Sequence, residues 1–380
     1  MSYYLRHYFE PNFDHLAVKP KVSADGRADR HNLGYVQNVI KGQILAEFLP
    51  TDQVPDPQAE FMHTTPEFPA GPNTYVDPDH PQYLLADING YAFYLDDKIT
   101  VKNVLNVRGD VSFQTGNIFF VGNLAVHGDV RTGFEVQAND ILIKGMIEGS
   151  IARAQRDLAV LGGVRGRTEG KCLLDAGRSL RLTHVENAEI RSHGRLFVEK
   201  FCLHSRLYIT GDMAVQGRLY GGVCQTNGTV YVREALGNPS ETPTAVELGY
   251  NPHYIRQLER CEEHLTELGQ RIVHYKAVAG HLPPDANEPA RRLAAARYKQ
   301  KRLQQHRQQL WRNLSEDEKQ ATRCRVVVPG TVYPGVDISI GRTLLSITRP
   351  MQNVMFHLRD EEIVVEQLQA KHSHTPKKHA

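Results

Sequence analysis

Asp110 and Asp129 each follow a glycine, in Val107-Arg108-Gly109-Asp110-Val111 and Val126-His127-Gly128-Asp129-Val130. If those segments stack as neighbouring strands, the carboxylates lie about 5 Å apart, a separation that suits retaining glycoside chemistry. The plainer reading is two solvated turn aspartates, since no aromatic cluster accompanies them to stack on a sugar. Gly166-Arg167-Thr168-Glu169-Gly170-Lys171-Cys172 imitates a phosphate-binding loop. It is one residue short, and Cys172 stands where Ser or Thr would hold Mg²⁺, so turn glycines explain it better. The 18 histidines are scattered, HExxH is absent, and His372, His374 and His379 fall in a polar tail. The five cysteines, Cys172, Cys202, Cys224, Cys261 and Cys324, are widely spaced and include no CxxC. That usage fits a reduced cytoplasmic protein better than a disulfide framework or a zinc site. No catalytic residue, cofactor or metal ligand is expected.

The clearest binding signal is a run of positive charge. Arg291, Arg292, Arg297, Lys299, Lys301, Arg302, Arg307 and Arg312 share a stretch that holds no acid. Such a stripe suits an acidic partner, a membrane surface or nucleic acid. The competing reading is a solvated face partly neutralised by Glu259, Glu262, Glu263 and Glu267. A formal net charge of only +2 gives no general argument for nucleic acid.

Helices must carry this stripe. Ile255, Leu258, Cys261, Leu265, Leu268, Ile272 and Tyr275 follow three-and-four spacing, and Pro252 fits a first-turn proline. A second helix is expected from about Glu288 to Leu314, with Leu293, Ala296, Leu303, Leu310 and Leu314 on one stripe. Ser315 and Glu318 resemble a capping box for a short further turn. The pair predicts an antiparallel coiled-coil hairpin with its tip near residues 280–287.

Ahead of the hairpin runs a repeat of the form apolar, any, apolar, any, Gly, any, apolar. It begins at Leu105, Leu124, Ile141, Leu158, Leu180, Leu196, Met213 and Val230, with spacings of 19, 17, 17, 22, 16, 17 and 17 residues. Period-two alternation means a strand with one face buried. The fifth-position glycine is expected to supply a positive φ. Asn123, Asp140, Asp157, Ser179, Asp212 and Thr229 precede the apolar starts and are expected to form local Asx or Ser/Thr turns. A second apolar position, at Phe134, Ile151, Ile190 and Val223, gives each copy two or three short strands. A 17-residue unit is too short for a propeller blade and lacks the helix of a leucine-rich repeat. It suits one coil of a parallel β-helix, and the main alternative is chance alternation in a β-sandwich.

The 30 glycines and 20 prolines agree with a mainly β, turn-rich chain. Residues 1–101 read as a small β subdomain capping the solenoid, with a Pro-rich linker at 51–82 and a hairpin from Leu84 to Val101 turning at Asn89-Gly90. The expected division is 1–101 cap, 102–249 parallel β-helix, 250–323 coiled-coil insertion, 324–368 C-terminal β segment completing the solenoid, and 369–380 disordered tail. No stretch approaches the roughly 18 to 20 apolar residues of a membrane helix.

Several of these segments resemble the flagellar assembly protein A family. The resemblance lies in Gly109-Asp110-Val111, in Thr115-Gly116-Asn117-Ile118 and in Val121 to Val130. It continues in Gly335-Val336-Asp337-Ile338-Ser339-Ile340-Gly341 and in Lys41-Gly42-Gln43-Ile44-Leu45-Ala46. It covers most of residues 20–367 and implies a right-handed β-helix with an inserted coiled coil and a non-catalytic role in bacterial flagellar assembly or placement. Longer members carry a further N-terminal domain, and this chain is expected to start after it. The function expected is a cytoplasmic scaffold that binds protein partners of the flagellar or cell-pole machinery. Homo-oligomers and contact with a membrane surface are compatible with it, and no small-molecule substrate is expected. The alternatives are a filament-forming cytoskeletal solenoid and a polysaccharide-active β-helix enzyme.

Overall fold

Leu105 and Val107 are buried while Val104 and Asn106 are exposed, as a strand with one inward face requires. That pattern recurs throughout a computed structural model of the chain, which describes residues 2–15, 17–18, 20–22, 28–167, 171–280 and 287–368. Two compact units are present, Met1–Arg191 and Ser192–Ala380. The expected hairpin tip and the tail beyond residue 368 lie largely or wholly outside the described residues.

The first unit opens with two antiparallel sheets. Tyr3–His7, Ile44–Pro50 and Tyr83–Ala86 lie at the centre of one, and Gly90–Leu95 joins Asn38–Val39 to Lys98–Lys102 in the other. Leu5, Leu45, Leu84, Ile99 and Val101 share their core. The expected turn at Asn89-Gly90 is not where the hairpin closes. Tyr83–Ala86 pairs with Ile44–Pro50, and the hairpin joins Gly90–Leu95 to Lys98–Lys102. Its turn is Asp96-Asp97, at φ 49° and 57°. Aspartate tolerates the left-handed conformation that a two-residue hairpin turn demands at both positions. Asn89 instead accepts the Lys41 N–H at 2.8 Å.

Stacked coils follow. The strands Val104–Val107, Asn123–Val126, Ile141–Ile143, Asp157–Val160 and Ser179–Leu182 pair in parallel, so Leu105, Leu124, Ile141, Leu158 and Leu180 form one buried ladder. Ile118–Phe119, Glu135–Ala138, Ile151–Ala154 and Leu173–Ala176 make a second parallel face. A third, shorter face runs through Ile147–Glu148, Val164–Arg165 and Val185–Glu186. The N-terminal sheets are tied to the first coil by Asn38, which donates to the Phe119 carbonyl at 2.7 Å and accepts the Val121 N–H at 3.0 Å.

Three local expectations are corrected. Gly109, Gly128, Gly145, Gly162 and Gly217 are absent from the positive-φ glycines. In most of them the missing side chain matters for another reason: a Cβ on Gly145 would lie 2.4 Å from the Gly128 carbonyl oxygen of the coil before it. The polar residues before each apolar start bond between coils rather than locally. The Asn123 side-chain oxygen Oδ1 accepts Asp140 N–H at 3.3 Å, Asp140 accepts Asp157 N–H at 3.2 Å, and Asp212 accepts Thr229 N–H at 3.0 Å. Of the second apolar set, Phe134 and Ile190 are buried, but Ile151 and Val223 are half-buried, and Ala152 and Cys224 take the inward places. A one-residue difference in register moves a side chain to the other face.

In the second unit Leu196, Met213, Val230 and Val326 continue one ladder among themselves. The chain leaves the coils after the strand Thr244–Leu248, runs through helix α1 (Pro252–Gly280) and helix α2 (Asn287–Gln320), and returns as Arg325–Val332. The returning strand pairs in parallel with Thr229–Val232, and Val336–Ile340 pairs with Thr244–Leu248. The unit then closes with antiparallel strands. Thr343–Ser346 lies on Val336–Ile340, Met351–Arg359 on Arg325–Val332, and Glu362–Gln367 on Met351–Arg359. The segment after the helices is therefore both further solenoid and a closing sheet. Its last strand carries Glu362 and Glu366, charges that discourage pairing with another chain. All five cysteines are free and buried; burial pushes the Cys202 thiol up to about 12 and Cys324 up to about 11.

Candidate interaction site

The helical hairpin is built by its heptads. Leu258 and Cys261 of α1 pack with Leu310 and Leu314 of α2, and Leu268 and Ile272 pack with Ala296. The start of α1 therefore meets the end of α2, the antiparallel arrangement expected. α2 extends past Leu314 to Gln320, and Ser315 does not cap a new turn. Its hydroxyl donates to the Trp311 carbonyl at 2.9 Å, within one continuous helix.

The base of the hairpin is fixed to the coils of its own unit. Asn251 caps α1 by accepting the His253 N–H at 3.0 Å, and its own N–H donates to Asp317 of α2 at 2.9 Å. The His253 ring stacks on His193 with centroids 3.8 Å apart, and its Nε2 lies 3.2 Å from the Ser192 carbonyl oxygen. The Arg256 guanidinium sits 4.6 Å from the centre of the Tyr208 ring. These contacts orient the hairpin at both of its roots.

Of the eight basic residues, Arg291, Arg292, Arg297, Lys299, Lys301, Arg302 and Arg312 are exposed. Arg307 is half-buried, on the seam row between Leu303 and Leu310, beside Cys261, whose thiol burial pushes up while the Arg307 charge only partly opposes that. Arg292 pairs with Glu288 of its own helix at 2.6 Å. Among the described residues no ion pair joins this stretch to Glu259, Glu262, Glu263 or Glu267, so the expected neutralisation from α1 is not realised as contacts. The field of the stripe therefore points to solvent, with Tyr298 and Trp311 exposed among the charges.

Asp110 and Asp129 do come together on adjacent coils, but both are occupied. Asp110 accepts Asp129 N–H at 2.8 Å, Asp129 accepts Met146 N–H at 2.8 Å, and Arg131 reaches both carboxylates, at 2.8 and 3.2 Å. They are links between coils rather than solvated turn residues. The segment resembling a phosphate loop includes residues 168–170, outside the described residues; a Cβ on Gly166 would meet the Asn187 carbonyl oxygen at 1.8 Å, so close stacking explains that glycine. Among the described residues no cluster of three or more His, Cys, Asp or Glu is placed to hold a metal ion, and no helix is long and apolar enough to cross a membrane.

The same inter-coil bonding predicts an acid sensitivity. The Arg156 guanidinium holds the Asp140 carboxyl below the usual carboxylate range, Arg178 does so for Asp157, and the Asp129 N–H leads the lowering at Asp110. A folded-state value below the unfolded one means stability that is complete above the unfolded value, about 3.9, and lost as pH falls through the folded value. The urea midpoint should therefore hold from pH 7 to about 5 and fall below about 4. An Asp140→Asn/Asp157→Asn variant should show a shallower acid-side slope; an unchanged slope would remove these carboxylates from the account.

Sequence reasoning missed an outer-face groove in the second unit, around Arg218, Tyr220 and Glu234. Its residues lie on different coils, and only the coil register brings them together.

Parallel coils closed at their C-terminal end by antiparallel strands, with an anchored coiled-coil insertion, define a β-solenoid protein with a projecting helical arm. The family model for the Flagellar Assembly Protein A beta solenoid domain matches residues 103–363, and the chain belongs to that family. No curated protein and no solved structure matches the chain.

Proposed function

We propose that this chain is a non-catalytic cytoplasmic scaffold in flagellar assembly or placement, holding protein partners on its helical arm and solenoid faces. The family's name supplies the process, and the basic face of α2, unpaired with the acids of α1, supplies the binding surface. Arg291, Arg292, Arg297, Lys299, Lys301, Arg302 and Arg312 recruit a partner with an acidic surface, while Arg307 sets the helix seam. A polar residue on a coiled-coil seam fixes register at some cost in stability. The division into cap, β-helix, arm and closing segment at 101/102, 249/250, 323/324 and 368/369 belongs to this proposal. The coils contribute rigidity and the arm contributes capture.

The test is affinity capture from native lysate with the full chain and an Arg297→Glu/Lys301→Glu/Arg302→Glu variant, read by mass spectrometry and by motility of complemented cells. The variant should lose the acidic partners and impair motility, with an unchanged melting curve. An identical captured set with full motility would remove the stripe from the proposal. The filament alternative gains no support from the second unit's last strand, which is guarded by glutamates.

A further inference from the structure

The arm has a second charged surface, formed where the two helices lie side by side. One residue past a seam residue, a helix has turned about 100°. On α1 that step from the seam between Leu258 and Ile272 gives the row Glu259, Glu262, Thr266, Gly269 and Val273. On α2 the same step from the seam between Ala296 and Leu310 gives Arg297, Lys301, Gln304, Gln308 and Trp311. The helices are antiparallel, so an equal turn from the seam carries both rows to the same side of the arm. Each row is about 21 Å long at 1.5 Å per residue. Glu259, Glu262, Arg297 and Lys301 are all exposed. Among the described residues none of the four is in an ion pair; the pair that the stripe does make, Arg292 with Glu288, lies off these rows.

The charges run in opposite senses along the arm. The acids of α1 lie near the base, and the bases of α2 lie farther out, with Trp311 nearest the base. A two-fold axis through the middle of this face lays α1 of one copy along α2 of another, both running the same way. In one register Glu259 meets Arg297 of the second copy, Glu262 meets Lys301, Thr266 meets Gln304 and Val273 meets Trp311. The symmetry makes each contact twice. Two further observations call for an occupant on this side. Val273 and Trp311 are 68% and 53% exposed, large apolar surfaces left in water. A Cβ on Gly269 would meet nothing within 4 Å, although glycine weakens a helix interior. Helical side chains lean toward their own N-terminus, which carries Trp311 of the second copy over Gly269. Two acids and two bases leave the rows without net charge, so they give no net attraction for nucleic acid or an anionic membrane. Their own inverted image is the pattern that matches them.

We propose that the arm pairs antiparallel with the arm of a second copy of this chain through these two rows. The proposal rests on the stripe being a binding surface, and it gives Arg297 and Lys301 a second copy as their acidic partner. A face this short buries less than a standard interface of about 1,200 Å² and upward, so the dimer is weak, with a Kd on the order of 10–100 µM. Sedimentation velocity of the purified full chain from about 1 to 300 µM should show a monomer–dimer equilibrium that about 0.5 M salt weakens. Glu259→Lys/Glu262→Lys and Arg297→Glu/Lys301→Glu should each weaken it at least about tenfold. Mixed in equal amounts, the two variants should dimerise again, because every contact then joins opposite charges. Trp311 is the single tryptophan, so its emission should shift to the blue as the unaltered chain is concentrated, a readout that needs no variant to fold. A chain monomeric throughout overturns the proposal. So does a dimer that neither variant weakens, a mixture of the two folded variants that stays monomeric, or a tryptophan emission that does not move with concentration. Only the purified chain is used, so a monomer leaves the lysate capture standing, and a lysate without acidic partners leaves the dimer standing.

Discussion

Replacing Gly145 by alanine should destabilise the solenoid by about 3 kcal/mol, the upper end of ordinary overpacking costs, while Gly109→Ala should change stability by no more than about 0.5 kcal/mol. The two glycines occupy the same place in their copies of the repeat. A Cβ on Gly145 would lie 2.2 Å from Asp129 Oδ1, 2.4 Å from the Gly128 carbonyl oxygen and 2.6 Å from its carbon. Those atoms cannot simply turn away. Gly145 N–H donates to the Gly128 carbonyl at 3.1 Å, and Asp129 Oδ1 accepts the Met146 N–H at 2.8 Å. Making room therefore stretches the inter-coil ladder. Gly109 lies in the first coil and would meet nothing within 4 Å. Urea denaturation of the two variants checks the pair. Equal losses at both sites would mean that the glycine serves backbone conformation after all.

Leu310→Glu should melt the helical arm and leave the coils folded. Leu310 is 2% exposed and packs with Leu258, Cys261 and Leu314. Leu→Ala at such a site costs about 2–5 kcal/mol, and an unpaired buried carboxylate costs at least as much. Among its described residues the arm rests on two small apolar clusters, so its local opening should be far easier than unfolding of the coil ladders. Circular dichroism at 222 nm should lose most of its helical signal, while the thermal transition of the β structure stays where it was. Gln305→Glu, exposed on the same helix, is the control and should alter neither. A single cooperative loss of both signals would show that arm and coils fold as one unit. If the arm captures partners, Leu310→Glu should abolish capture as fully as the charge reversals do.

The coil repeat was legible because burial imposes period two on every strand and close stacking imposes glycine at one corner. Leu105, Leu124, Ile141 and Leu158 announce the ladder by their spacing alone. The same residues did not reveal why the glycine is there, since positive φ and close approach leave the same letter in a sequence. Asn89-Gly90 misled for a related reason: its preferred turn would join Tyr83–Ala86 to Gly90–Leu95, whereas Tyr83–Ala86 lies between Thr74–Val76 and Ile44–Pro50, the latter some forty residues earlier in the chain. Arg131 between Asp110 and Asp129 depends on which coil faces which corner. The basic stripe of α2 was readable residue by residue. Its lack of partners on α1 was not, because that depends on the rotation of one helix against the other.

The chain leaves the second unit's coils after Leu248 and re-enters at Arg325 on the neighbouring strand Thr229–Val232. Departure and return thus belong to consecutive faces of the stack, and arm length is decoupled from coil register. Adding one heptad to each helix would extend the reach by about 10 Å without moving any ladder residue. Reach is therefore a dimension that can vary at no cost to the fold, and an arm of another length or surface could be spliced between residues 249 and 324 as an exchangeable module.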